Sequence, residues 1–244
     1  NFGGLVHSFP LDTKIAGKGV VNEGEVSTKM GLKGIPSLSE ELRVKRDLAL
    51  ADYHNAPIHF STISTKESIE LIREAKKKGT KVTCDIAAHQ LSFRDESTKE
   101  YDSNYKVLPP FRKQKDIDAL VDGLNDGTID AICSDHTPHD IEDKKLEFNF
   151  AKFGIIGLET AFASMLSATD GKVKLETLIE KLTTGPQTIF NLSQSKINKG
   201  EKANLTLFNP ELTWTFEKSD IQSKSKNTPF IGTEFKGKVL GIIC

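Results

Sequence analysis

A chain of 244 residues, 37% hydrophobic and 27% charged, is long enough for one large domain or two small ones around a substantial core. Its 33 basic residues nearly cancel its 34 acidic ones, so it carries neither the basic footprint of a nucleic-acid-binding protein nor a charge that would attract it to an anionic membrane. The apolar runs at 155–158 and 239–243 fall far short of the roughly 20 residues that span a bilayer. Cys84, Cys133 and Cys244 form no CxxC pair, which points to a cytoplasmic setting.

Residues 1–6 already read as the start of a buried strand, with no initiator methionine or signal peptide before them, so the chain is expected to be a piece of a longer protein. Strands are expected at 5–9, 57–61, 81–87 and 129–134, short apolar runs separated by amphipathic ones. Between the first two lie a glycine-rich loop (Gly17, Gly19, Gly24, Gly31, Gly34) and a helix from Ser37 to about Tyr53, started by a serine followed by acids. A helix at 64–78 puts Ile69, Leu71, Ile72 and Ala75 on one face and ends in three lysines and Gly79.

After the third strand an irregular stretch runs through Pro109-Pro110 to a helix at 115–125, and Gly127 turns the chain into the fourth strand. Helices are expected at 158–168 and 175–182, with a short one at 187–192. From about Lys202 the pattern changes to turn-punctuated strands around Trp214 and 237–243, a small appended β element. Four parallel strands fit a small open sheet or half of an eight-stranded barrel. Either collects its functional groups at the carboxyl ends of its strands.

Four of the six histidines lie in or near those strands: His7, His59, His136 and His139. A lone strand histidine is usually a hydrogen-bonded core residue, and His54, near a helix end, reads as solvent-facing. Histidines in two separate strands, with Asp135 at the end of a third, change that reading. Two imidazoles and a carboxylate would suit a zinc-like ion with room for a water, whose pKa the ion would lower while the carboxylate takes its proton during attack on an amide.

The run Asp135-His136-Thr137-Pro138-His139, followed by Glu142, Lys144, Phe148 and 153–160, resembles the DHAPH segment and glycine-rich loop of the dihydroorotases, members of the amidohydrolase superfamily of (β/α)8-barrel metallohydrolases. The resemblance also takes in Asn22-Glu23-Gly24, 31–36, Glu40, Arg46-Asp47, the segment around His59, 106–112 and 226–232. It implies an α/β fold, the C-terminal half (strands 5–8) of a TIM barrel over residues 1–192, with part of a small β-sandwich subdomain over 193–244. By the resemblance His7, His59 and Asp135 are metal ligands, with Asp135 also the catalytic base. His139 holds the substrate carboxylate, and Leu108, Phe153 and Gly154 line the same pocket.

The implied activity is the reversible cyclisation of N-carbamoyl-L-aspartate to dihydroorotate in pyrimidine biosynthesis, with one or two zinc ions. The implied oligomer is a homodimer. Leu108 stands where the family usually has a substrate-contacting Asn, Ser8-Phe9-Pro10 replaces Cys-Glu-Asp after His7, and Ala88-His89-Gln90-Leu91 replaces Pro-His-His-Leu. These departures fit two alternatives: an inactive dihydroorotase-like subunit that assembles with aspartate transcarbamoylase, or another cyclic amidase such as an allantoinase or hydantoinase. A half barrel on its own is expected to pair with another chain or leave apolar edges exposed.

Overall fold

The computed structural model describes residues 4–194 and 197–244; the strand start read at residues 1–3 lies outside them. After β1 (Val6–Ser8), the expected glycine-rich loop is folded into α1 (Thr13–Ala16), β2 (Val21–Asn22), α2 (Glu25–Met30) and β3 (Gly34–Ile35). Asp12 caps α1 by accepting from the backbone N–H of Lys14 and Ile15, and Gly31, at φ 65°, ends α2 in the left-handed region. Elements of two to six residues are too short for periodicity to reveal.

The longer elements fall close to expectation: α3 (Leu38–His54), β4 (Ile58–Phe60), α4 (Lys66–Lys77), β5 (Val82–Ala87), α5 (Gln114–Asn125) and β6 (Ala131–Cys133). Thr65 caps α4 through the Ser68 N–H, and Gly79, at φ 87°, carries the chain out of it. Beyond the short α6 (Ile141–Lys144), helix α7 (Ala161–Ala168) starts three residues later than expected. The reason is that His136 Nδ1 accepts the N–H groups of Gly157 and Leu158, fixing that stretch as a turn. α8 (Leu175–Leu182) falls where expected, and α9 (Thr184–Ile189) lies three residues early, with Pro186 in its first turn and Asn191 beyond it at φ 52°.

The strands pair in the order β1-β4-β5-β6, all parallel. One face of the sheet packs Ile58, Phe60, Val82, Cys84 and Ile86 against Val44 and Leu48 of α3, Ile69 and Ile72 of α4, and Leu120 and Leu124 of α5. Polar side chains take the other face. Among the described residues β1 and β6 are edge strands, and Val6 is 52% exposed beside the open edge, as expected for an unclosed half barrel.

The appended element is a two-stranded antiparallel sheet of β7 (Leu205–Thr215) and β8 (Glu234–Ile243). It packs on α7, where Phe162 meets Phe208 edge-on and Ser167 Oγ accepts the Lys236 N–H. A second core of Phe111, Ile155, Ile156, Phe216, Phe230 and Phe235 joins it to the loops above the main sheet. Among the described residues this sheet pairs with no further strand, and Leu207, Leu240 and Ile242 lie exposed on it.

Candidate active site

Strand register brings the first functional groups together. His7 pairs with His59 and His59 with Thr83, and because side chains alternate along a strand, Asp85 shares the face of Thr83. The two imidazoles stack, with centroids 5.3 Å apart and planes 14° apart. One ligand atom from each of His7, His59 and Asp85 lies within 4.8 Å of the others.

His59 is fully buried, with Nε2 2.9 Å from Asp85 Oδ2 and Nδ1 2.8 Å from Thr83 Oγ1. Because the Thr83 hydroxyl can donate or accept, the ring can offer Nε2 as a donor to Asp85 or as a bare ligand atom. Asp85 Oδ1 accepts from the Thr62 N–H at 2.8 Å and, more weakly, from Cys133 Sγ at 3.4 Å. Two imidazoles and a carboxylate so placed suit a divalent ion of the zinc type.

The sequence reading did not single out Asp85. Its signal was a lone acid inside the otherwise apolar run of the third strand.

Asp135 stands next to this group rather than within it. It follows β6 with φ 45°, a left-handed conformation that is uncommon for a residue with a side chain. Burial, reinforced by the nearby Asp85 charge, pushes its carboxyl up to about 7. His89 Nε2 lies 3.7 Å from Asp135 Oδ2; the ring is 2% exposed, neither nitrogen has a hydrogen-bond partner, and burial pushes its pKa down to about 4. Phe190, another residue the sequence reading missed, packs near both cluster histidines, with centroids 6.4 Å from His7 and 5.8 Å from His59.

Of the expected substrate-binding residues, His139, Phe153 and Gly154 form a second group. His139 Nε2 donates to Phe153 O at 2.8 Å, which fixes the tautomer of the neutral ring, and the His139 N–H donates to Asn227 Oδ1. Asn227 Nδ2 in turn reaches Thr137 O and Gly154 O, tying the His139 turn to the Gly154 loop. Gly154 is required where it stands, because at φ 120° a Cβ would fall 2.4 Å from Thr137 Cγ2. Leu108 lines a small, tight cavity with Phe9, Leu11, Thr62 and Pro110. His136 is a loop anchor, through the two bonds described above, and His54 is exposed.

The amidohydrolase family pattern matches residues 14–244. A curated dihydroorotase of Geobacter metallireducens is 43% identical over 234 residues, 96% of this chain and 55% of its own length. One of Thermoanaerobacter is 44% identical over 230 residues, 93% of this chain and 53% of its own length. The chain thus spans about half the length of the curated relatives it matches. Among solved structures, an L-hydantoinase (dihydropyrimidinase) from Arthrobacter aurescens superposes with a TM-score of 0.86 at 23% identity, over 99% of this chain and 56% of that one. A dihydropyrimidinase from Brevibacillus agri gives 0.84 at 20%, over 99% of this chain and 55% of that one. These structures share the fold, that of a partial TIM barrel.

Proposed function

Because the chain belongs to the amidohydrolase family, whose members are metal-dependent hydrolases, we propose that it is the metal- and substrate-binding half of a dihydroorotase. The observation that carries the reading is the convergence of His7, His59 and Asp85 from three adjacent strands, with Asp135 beside them, in a chain 43% identical to a curated dihydroorotase. His7 and His59 hold zinc, one ion or two, with the carboxylates of Asp85 and Asp135 as the acidic ligands. When bound, the ion lowers the pKa of a water toward neutrality and polarises the amide carbonyl.

Asp135 is the proton carrier. In the hydrolytic direction it takes one proton from the water that adds to the ring carbonyl carbon and delivers it to the ring nitrogen as the C–N bond breaks; the water's second proton stays on the new carboxyl group, which gives it to solvent, and a free ureido group remains. In the direction of synthesis the same atoms move in reverse: the ureido nitrogen closes on the carboxyl carbon and water leaves. With Nε2 donating to Phe153 O, His139 holds the carboxylate that takes no part in the reaction through Nδ1–H of the protonated ring, and Phe153 and Gly154 wall the pocket.

The test is cyclisation of carbamoyl-aspartate by the full-length protein, with hydantoin and allantoin as competing substrates. Turnover of carbamoyl-aspartate at least about a hundredfold better supports the reading; preference for either competitor overturns it. Leu108 favours a second reading, a catalytically silent subunit that assembles with aspartate transcarbamoylase, because a leucine offers substrate no hydrogen bond. Absence of turnover together with co-elution with that enzyme would support it. A homodimer and a cytoplasmic location belong to the same proposal; among the described residues no helix is long and apolar enough to cross a membrane.

A further inference from the structure

The segment 148–154 forms the wall beside His139, yet neither a helix nor a strand of the main sheet holds it. Its backbone carbonyls meet two ammonium groups instead. Lys106 Nζ donates to Phe148 O at 2.7 Å and Asn149 O at 3.1 Å, and Lys144 Nζ donates to Lys152 O at 2.9 Å and Gly154 O at 3.0 Å. Both lysines are buried, at 2% and 7% exposure, and the Lys106 ammonium also lies 4.7 Å from the centre of the Phe153 ring. The Lys106 backbone closes the arrangement, its carbonyl accepting the Gly154 N–H at 2.8 Å.

We infer that Lys106 and Lys144 are positioning residues that hold the 148–154 segment, and through Phe153 O the His139 ring, in the shape that receives the substrate carboxylate. The inference rests on the role proposed above for His139. A hydrophobic side chain would fill either site without the desolvation cost of a buried charge. Four backbone carbonyls in an irregular loop, by contrast, need donors, and an ammonium at the end of a long stem supplies them without adding a strand. The burial that lowers both lysines to about 8 leaves them charged at neutral pH.

The test is Lys106→Met and Lys144→Met in the full-length protein, with the equally buried Lys181→Met, distant from the pocket, as control. KM for carbamoyl-aspartate is expected to rise roughly tenfold in the first two while kcat stays within about twofold, and deuterium exchange of the 148–154 amides is expected to accelerate. Lys181→Met is expected to change neither. Should a Met variant fail to fold, Lys→Gln, which keeps one donor, is expected to give a smaller shift of the same kind.

An unchanged KM in both variants overturns the inference, whatever happens to exchange. If the unmutated protein turns over no carbamoyl-aspartate, the dihydroorotase reading falls and exchange alone decides the loop: faster exchange in the two pocket variants supports their role, and exchange equal to the control overturns it.

Discussion

Two buried polar groups in this fold differ in how completely the protein satisfies them. Glu40, at 2% exposure, receives the N–H groups of Ser64 and Thr65 at 3.0 Å each, both of their hydroxyls, and Arg112 Nη2 at 3.4 Å. Arg112 is spent as fully, donating also to Ser64 Oγ and Asn22 Oδ1 at 2.9 Å each. Only at the margin, on Asp95 Oδ1, does that network leave an atom without a partner. Around Asp85 and Asp135 the balance reverses: both nitrogens of His89 and the hydroxyl of Thr62 are buried without partners, two carboxylates face each other's charge, and two imidazoles converge. The first group is a finished internal structure that fixes α3 and the loops around it. The second keeps buried donors and acceptors unspent, which fits the metal and substrate site proposed above.

The largest expected effect breaks the finished group. Arg112→Met leaves Glu40 buried and unpaired, and should cost about 3–5 kcal/mol in urea unfolding. Metal bound per folded molecule should not change. A loss below about 1 kcal/mol would show that the network does not hold α3 and its loops in place.

Asp135→Asn tests the unfinished group. It should leave stability nearly unchanged and lower kcat by about 10²–10⁴-fold, read from the cyclisation assay. Asp85→Asn, measured in parallel, sharpens the contrast between the two acids. Asp85 lies within ligand reach of both histidines, so its variant should lose more metal than the Asp135 variant. The reverse order would make Asp135 the principal ligand.

A smaller change is expected at Leu108. Replacing it with Asn puts a donor and an acceptor in the small cavity it lines, and KM should fall by roughly tenfold if the substrate reaches there. An unchanged KM would remove Leu108 from the binding site.

The smallest effect is one of pH. Burial lowers Lys106 and Lys144 from the ordinary 10.5 to about 8, so above pH 8 the native chain sheds protons that the unfolded chain keeps, and stability rises with pH. Burial raises the Cys84 and Cys133 thiols above the ordinary 9.0, so above pH 9 the unfolded chain loses thiol protons that the native chain retains, which offsets the lysines and levels the curve. The rise should therefore occupy the window between about pH 8 and 9, and Lys106→Met should flatten it in urea titrations. An identical slope in that variant would contradict the assignment.

The sequence made some of this contrast legible and hid the rest. Its apolar runs were read as the four main strands, and the position of His7 and His59 inside two of them was visible directly. That the two are registered side by side was not, because pairing joins residues 52 apart in the chain. Asp85 went unremarked because one acid in a buried strand looks the same whether it ends at a ligand or at a hydrogen bond. The Glu40–Arg112 pair spans 72 residues, and β2 and β3 are two residues each, so neither leaves a periodic trace. Asp135 was found through the motif around it, whereas its interaction with Asp85 depends on sheet geometry.

The most direct test of the central claim is the zinc content of the purified full-length protein, measured by plasma mass spectrometry beside the same preparation of a His59→Asn variant. At least one equivalent of zinc is expected in the parent, and an affinity weakened by about a hundredfold or more in the variant. Equal metal content in the two, or a parent that binds none when zinc is supplied, would contradict it.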